Sequence, residues 1–275
     1  MKFADLHLHT AFSDGTYTPE ELVRASKKAG LAAIAIADHD TVDAIIPSLE
    51  IAQKEGIEVI PAIELTAEHD GLEVHILGYF IDYQNKRLQE KLVFLGKNRR
   101  ERIYKIVEKL AALDLKLEPE AVFKIASEGT VGRMHIARAM VKEGIVKSTA
   151  EAFARYIGDK GPAYVCGFRF SPAEAISLIK ETGGVAVLAH PYLLRNDELI
   201  FEFIKQGIAG LEVYYPEHSQ SMINYYLALA EKYNLLVTGG SDCHGKAKPE
   251  VKIGMIKLPY ELVERLKEAS DKYAF

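Results

Sequence analysis

The 275-residue sequence contains only two cysteines, Cys166 and Cys243, too few for a disulfide framework and in keeping with a reducing compartment. It also lacks an apolar run long enough to cross a bilayer, and Met1 to Asp5 lead straight into a strand pattern with no signal-peptide core. Neither a membrane span nor export is expected, so the expected location is cytoplasmic. An excess of positive charge is missing too. With 34 Lys+Arg against 39 Asp+Glu the net charge is -5, and the pI lies near 6.0. Binding of long nucleic acid relies on many basic side chains neutralising phosphates, so this balance argues against a surface for long duplex DNA. A small anion held in a local basic pocket is compatible with it.

What the sequence does contain is enough apolar residue, 48%, to bury a large core as one domain or as one domain carrying an insertion. Apolar runs at 31 to 37, 57 to 63, 72 to 80, 184 to 189, 209 to 214 and 235 to 239 alternate with helical patterns. Continuous apolarity predicts strands buried on both faces, as in a parallel α/β sheet. Thr18-Pro19-Glu20-Glu21 has the cap, first-turn proline and third-position Glu of a helix start, and Gly30 closes that helix. Ser171-Pro172-Ala173-Glu174 repeats the device, closed by Gly183-Gly184.

The alternation stops between about Lys86 and Tyr164. There Leu88, Leu92 and Leu95, then Ile103, Ile106, Val107 and Leu110, recur at helical spacing, and shorter helical patterns follow around 118 to 127, 132 to 143 and 149 to 157. The expectation is a catalytic barrel formed by residues 1–85 and 166–275, with residues 86–165 as a helical insertion over it. Caps of that kind exclude water and select substrates.

Metal-ligand side chains gather at the strand ends: A-D-L-H-L-H at 4 to 9, Asp14, A-D-H-D at 37 to 40, Ile63-Glu64, His75 in E-V-H-I, Ala189-His190-Pro191, and S-D-C-H at 241 to 244. In a strand, alternation places Asp5, His7 and His9 on one face and Leu6 and Leu8 on the other. Parallel barrels collect their chemistry at the carboxyl ends of strands. Each piece alone has a plain structural use: Asp14-Gly15 as a turn, Glu64 as a capping acid, His75 as a core histidine. That all seven segments are only structural is improbable, and Asp242-Cys243-His244 after Gly239-Gly240 is the most specific of them. Asp5, Asp38 and Asp40 read as acceptors that orient ligand imidazoles, or equally as turn and capping acids. Arg99, Arg100 and Arg102 read as a solvated helix face, with the mouth of a pocket as the alternative for some of them, and His69 as a residue of an exposed turn beside Asp70-Gly71.

The ordered set H-x-H, S-D-G, D-H-D, I-E, V-H, A-H-P and S-D-x-H resembles the PHP (polymerase and histidinol phosphatase) family of phosphoesterases over nearly the whole chain. The resemblance implies a distorted seven-stranded (β/α) barrel, α/β in class, with three divalent metal ions, Mn foremost and Fe or Zn as alternatives. It implies His7, His9, Glu64 and Asp242 around one metal, a bridging Glu64 with His75 and His190 around a second, and Asp14, His39 and His244 around the third. Mixed imidazole and carboxylate ligation suits those metals better than Mg or Ca. The implied chemistry is hydrolysis of a phosphate ester by a hydroxide held by the cluster.

Gly132-Arg133-Met134-His135 and Gly161-Pro162-Ala163-Tyr164-Val165 are similar to the subgroup that includes 3',5'-nucleoside bisphosphate phosphatase. In that likeness Arg133 and His135 contact substrate phosphate, with Lys160 a further candidate. Without it, the segment is a helix start with an exposed Arg and a buried His. His218, after the strand at 209 to 214, is the best unassigned candidate for leaving-group protonation. The expected substrate is a small phosphorylated nucleotide, pAp being hydrolysed to AMP and phosphate. A 5'-to-3' exoribonuclease on short 5'-monophosphorylated RNA is the alternative. Histidinol-phosphate hydrolysis and a non-catalytic regulatory module follow behind.

Overall fold

A computed structural model describes residues 1–127, 129–166 and 170–272. The order is β1 (Phe3–Leu8), α1 (Pro19–Lys28), β2 (Ala33–Ile36), α2 (Ile45–Glu55), β3 (Glu58–His69) and β4 (Leu72–Tyr79). Helices α3 (Lys86–Ala111), α4 (Pro119–Ala126), α5 (Arg133–Lys142) and α6 (Thr149–Ala152) follow, the last running into a π-helical turn at Phe153–Ile157. The chain resumes with α7 (Pro172–Glu181), β5 (Val185–Leu188), a 3-10 turn at Pro191–Leu194, and α8 (Glu198–Gln206). It ends with β6 (Gly210–Tyr214), α9 (Gln220–Tyr233), β7 (Leu236–Gly239), the short β8 (Leu258–Pro259) and α10 (Glu261–Ser270). Among the described residues, no helix is long and apolar enough to cross a membrane.

The strands form one sheet in the order β7-β6-β5-β4-β3-β2-β1-β8. It is nearly closed into a barrel, because the residues after β7 bond to β1: Asp242 N–H donates to His7 O at 2.8 Å and His9 N–H to Cys243 O at 3.2 Å. The architecture is the α/β barrel expected from the sequence. Both predicted capping boxes form, with Thr18 and Glu21 opening α1 and Ser171 and Glu174 opening α7.

Three local expectations are corrected. The sheet is mixed: β4 runs antiparallel to both β3 and β5, since the tight Asp70-Gly71 turn joins β3 to β4 as a hairpin in place of a helical crossover. His69 is accordingly the last residue of β3, with its ring against Phe203 at 5.8 Å between centroids, and not part of the turn. The alternation in β1 is broken by a register shift between Asp5 and Leu8. Leu6 therefore packs inside the barrel with Ala33, Ala35 and Ile60, whereas Leu8 packs outside with Leu22 and Val23 of α1. Such an irregularity re-aims the side chains beyond it.

The barrel interior is filled by Ala4, Leu6, Ala35, Ile60, Leu77, Tyr79, Val185 and Val187, and Val263 and Leu266 of α10 close its lower end. A separate cluster forms from Ile103, Ile106, Leu110, Val122, Ile136, Met140 and Ile157, so the second half of α3 and the helices after it pack mainly on one another. The first half of α3, through Leu88, Leu92 and Leu95, packs against the barrel.

Candidate metal centre

The upper rim gathers the donors through different strand ends. His7 and His9 come from the end of β1, His39 from the loop after β2, His190 from the turn after β5, and Asp242 and His244 from the loop after β7. Glu64 lies within β3 but beyond the end of β2, where it bridges to His39. His75 reaches the rim from the first half of β4, because that strand runs the other way. Gly240 allows the close approach of β7 to β1: a Cβ there would lie 2.3 Å from His7 Cβ and 2.4 Å from His7 N. Asp40, His190 and Asp242 adopt positive φ (49°, 27° and 54°), conformations that cost non-glycine residues about 1–3 kcal/mol each and that collect at functional sites.

The nine side chains converge. His9, Asp14, His39 and His244 form one group in which ligand atoms lie within 4.8 Å of one another, His7, His9 and Asp242 a second, and His39, Glu64 and His75 a third. His190 joins the third, with Nε2 3.0 Å from Glu64 Oε1 and 3.3 Å from His75 Nδ1. Relative to the sets implied by the resemblance, His9 and His39 each stand between two groups.

The site also fits a cation by what it leaves unsatisfied. His7 Nε2, His9 Nε2, Asp14 Oδ1, His39 Nδ1 and Glu64 Oε2 are buried and have no hydrogen-bond partner. Leaving so many polar atoms unpaired in one place is costly unless something binds them. Burial opposes charge on Asp14, Glu64 and Asp242, yet neighbouring histidines, with Lys248 beside Asp242, hold all three well below the usual carboxylate range. Burial keeps His39 neutral, and burial with His244 does so for His9. These are the protonation states that metal ligation needs. His7, His75 and His244 are the counterpart: burial is outweighed by neighbouring carboxylates at all three, and the pKa of His75 is pushed up to about 10 by Glu64 and Glu73. A pocket that raises an imidazole this far has an unmet need for positive charge.

Surrounding acids fix the donors. His7 Nδ1 lies 2.8 Å from Glu212 Oε1, and the other oxygen of Glu212 accepts from His190 N–H at 2.7 Å. Asp5 accepts from the Ser241 amide and hydroxyl and from Gly254 N–H, holding the β7 loop; burial raises its pKa to about 6 despite these bonds. Asp38 accepts from Thr10 and Ser13, bracing the loop to Asp14. Asp40 accepts from Thr66 N–H at 2.8 Å and pairs with Arg99.

Arg99 and Arg102 thereby depart from the solvated face and fit the pocket-mouth alternative, since both line the cavity over the cluster. Both are buried, Arg99 against Asp40, Thr66 and Val131 O, and Arg102 against Glu73 and Val165 O. Arg100 is exposed and lies over Phe123. Spacing held the signal: Arg99 and Arg102 continue the buried stripe of Leu88, Leu92, Leu95, Ile103 and Ile106. Sequence reasoning also missed Glu212, Glu73 and Lys248. Glu212 was detectable as a lone acid inside the apolar run at 209 to 214.

Above the cluster opens a cavity of about 340 Å³, lined by Asp14, His39, Glu64, His75, His190, Asp242 and His244 and also by Arg99, Arg102, Arg133, Lys248, Tyr215 and Phe153. Arg133 pairs with Glu73 at 3.0 Å and Asp159 at 2.7 Å, and Lys248 pairs with Asp242 at 2.8 Å. The cavity lining does not include His135, Lys160 or His218. The buried His135 ring accepts from Gly132 N–H at 3.0 Å and bonds the Ser13 backbone, and burial lowers its pKa to about 4. It ties the start of α5 to the loop carrying Asp14. Lys160 is exposed. His218 packs behind Tyr215, 5.3 Å between ring centres, with Nδ1 2.8 Å from Val213 O.

Comparison with known proteins gives the family and the fold. The family model described as PHP domain matches residues 5–159. The chain is 33% identical to "5'-3' exoribonuclease Rnm" of Escherichia coli over 247 residues, 87% of this chain and 84% of that one. It is 29% identical to "3',5'-nucleoside bisphosphate phosphatase" of Chromobacterium violaceum over 89% of this chain and 88% of that one. A solved structure from Bifidobacterium adolescentis, described as a proposed metal-dependent phosphoesterase, matches with a TM-score of 0.89 at 33% identity, covering 97% of this chain and 96% of that one.

Proposed function

The chain belongs to the PHP domain family, and on that premise we propose that it removes the 3'-phosphate from nucleoside 3',5'-bisphosphates, taking pAp to AMP and phosphate. One observation carries the reading: the donor cluster shares a cavity of about 340 Å³ with four cationic side chains, Arg99, Arg102, Arg133 and Lys248. That volume lies at the small end of ligand sites, in keeping with a single nucleotide. A substrate with two phosphates needs cationic contacts beyond the cluster. The bisphosphate phosphatase of Chromobacterium violaceum supports the same reaction.

In this reading three divalent cations, Mn foremost and Fe or Zn otherwise, are held by His7, His9, Asp14, His39, Glu64, His75, His190, Asp242 and His244. Bound there, they supply a lowered pKa for a water molecule and charge neutralisation for the phosphate under attack. The chain does the rest. Arg133 binds the phosphate that is not cleaved, and its fork of donors suits that geometry. Lys248 and Tyr215 both bond Asp242 Oδ2, leaving Oδ1 turned to His7 and His9. Glu212 orients His7. His135 serves Arg133 by fixing the start of α5, and His218 backs Tyr215. Residues 86–165 act as the cap over the barrel of residues 1–85 and 166–275, excluding water as substrate settles.

Exoribonuclease action on short 5'-phosphorylated RNA is the second reading, favoured by the name of the Escherichia coli relative. Purified protein loaded with Mn(II) and offered pAp, AMP and a 5'-phosphorylated oligoribonucleotide separates the two. Phosphate release from pAp far faster than from AMP is expected; equal rates refute the bisphosphate assignment, and faster stepwise release of mononucleotides from RNA promotes the alternative.

A further inference from the structure

Glu73, two residues before His75 on β4, belongs to none of the three donor groups, yet three nitrogen donors converge on its buried carboxylate. Oε1 lies 3.1 Å from His75 Nε2 and 3.0 Å from Arg133 Nη2, and Oε2 lies 2.9 Å from Arg102 Nη2. His75 faces a carboxylate with each ring nitrogen, since its Nδ1 lies 2.9 Å from Glu64 Oε1. A chain of contacts thus runs from the cluster through His75 and Glu73 to Arg133 and the cavity.

An ionised carboxylate only accepts hydrogen bonds, so Glu73 requires the His75 proton on Nε2. That leaves the Nδ1 lone pair for a cation beside Glu64. The same oxygen that fixes this tautomer also holds Arg133 at the cavity wall. One oxygen shared by two donors makes their bonds competitive: when Arg133 turns toward an anion, Oε1 concentrates its charge on the His75 N–H, and a more basic imidazole binds its cation more tightly.

We propose that Glu73 is a positioning residue that couples the anion ligand Arg133 to the metal ligand His75, so that an anion drawing on Arg133 tightens the hold of His75 on its cation. The coupling is reciprocal, as linkage requires. It rests on Arg133 as the phosphate ligand of the proposed function. A merely structural Glu73, bracing α3 and α5 against the hairpin, predicts no such link.

The test is a double-mutant cycle read by Mn(II) binding to metal-stripped protein, followed through the electron paramagnetic resonance signal of free Mn(II). Glu73→Gln is expected to weaken Mn(II) at one site by roughly tenfold, the usual scale for losing an acceptor behind a ligand imidazole. Arg133→Met is expected to tighten Mn(II) measurably in the parent and to leave it unchanged in the Glu73→Gln background. An equal shift in both backgrounds, or none in the parent, overturns the proposal. Should Glu73→Gln lose its native circular dichroism, Arg133→Met alone decides: tighter Mn(II) binding supports the coupling and unchanged binding refutes it. No nucleotide is present, so a wrong substrate assignment leaves this result untouched.

Discussion

The two ends of the barrel are made by the same strands and obey different rules. At the lower end Ala4, Leu6, Ile60, Tyr79 and Val187 pack with Val263 and Leu266, and the Tyr79 hydroxyl, the polar group among them, donates to Leu6 O at 3.0 Å. At the upper end Asp40, His190 and Asp242 hold strained backbones, and five donor atoms are buried without hydrogen-bond partners. The difference teaches where stability and function reside. Close packing below offsets strain and unpaired polar atoms above, which persist because the surrounding structure over-determines them.

The sharpest break in this contrast comes from Asp242→Asn. It should lower turnover at least about 100-fold, beyond the range for groups that merely orient a ligand, while the unfolding midpoint of metal-free protein changes little. Loss of fold in that variant would place the upper end among the stabilising parts. Ile60→Ala, at the lower end, should do the converse. Denaturant titration is expected to show a loss of about 2–5 kcal/mol with Mn(II) stoichiometry intact in the folded fraction, and altered stoichiometry would contradict the separation. Arg133→Ala tests the cavity wall: losing charge-assisted bonds worth about 1.5–3 kcal/mol should raise KM roughly tenfold or more with metal still bound, and an unchanged KM rejects its phosphate role. Lys160→Ala, exposed and outside the cavity lining, should alter kcat/KM by less than about twofold. A larger loss would bring Lys160 into the site.

The sequence made the upper end more legible than its supports. Ligand-type residues are conspicuous at strand ends, where apolar runs stop, so the nine candidate donors could be proposed before their distances were known. Cap chemistry is local, which is why the starts of α1 and α7 were readable. Lys248 was hidden because a lysine in a polar stretch ordinarily faces water, and Glu73 because it lies inside the apolar run at 72 to 80; only tertiary contact supplies their partners. For Arg99 and Arg102 the solvated face was put ahead of the pocket mouth because charge was weighed above helical register. The direction of β4 depended on a two-residue turn, and the register shift in β1 left no compositional trace.

The central claim is that donors from seven segments seat several cations in one pocket. Anomalous diffraction at the manganese edge from Mn(II)-loaded crystals tests it most directly. Three peaks within coordination distance of His7, His9, Asp14, His39, Glu64, His75, His190, Asp242 and His244 are predicted; peaks held by other residues, or none in this cavity, would contradict it.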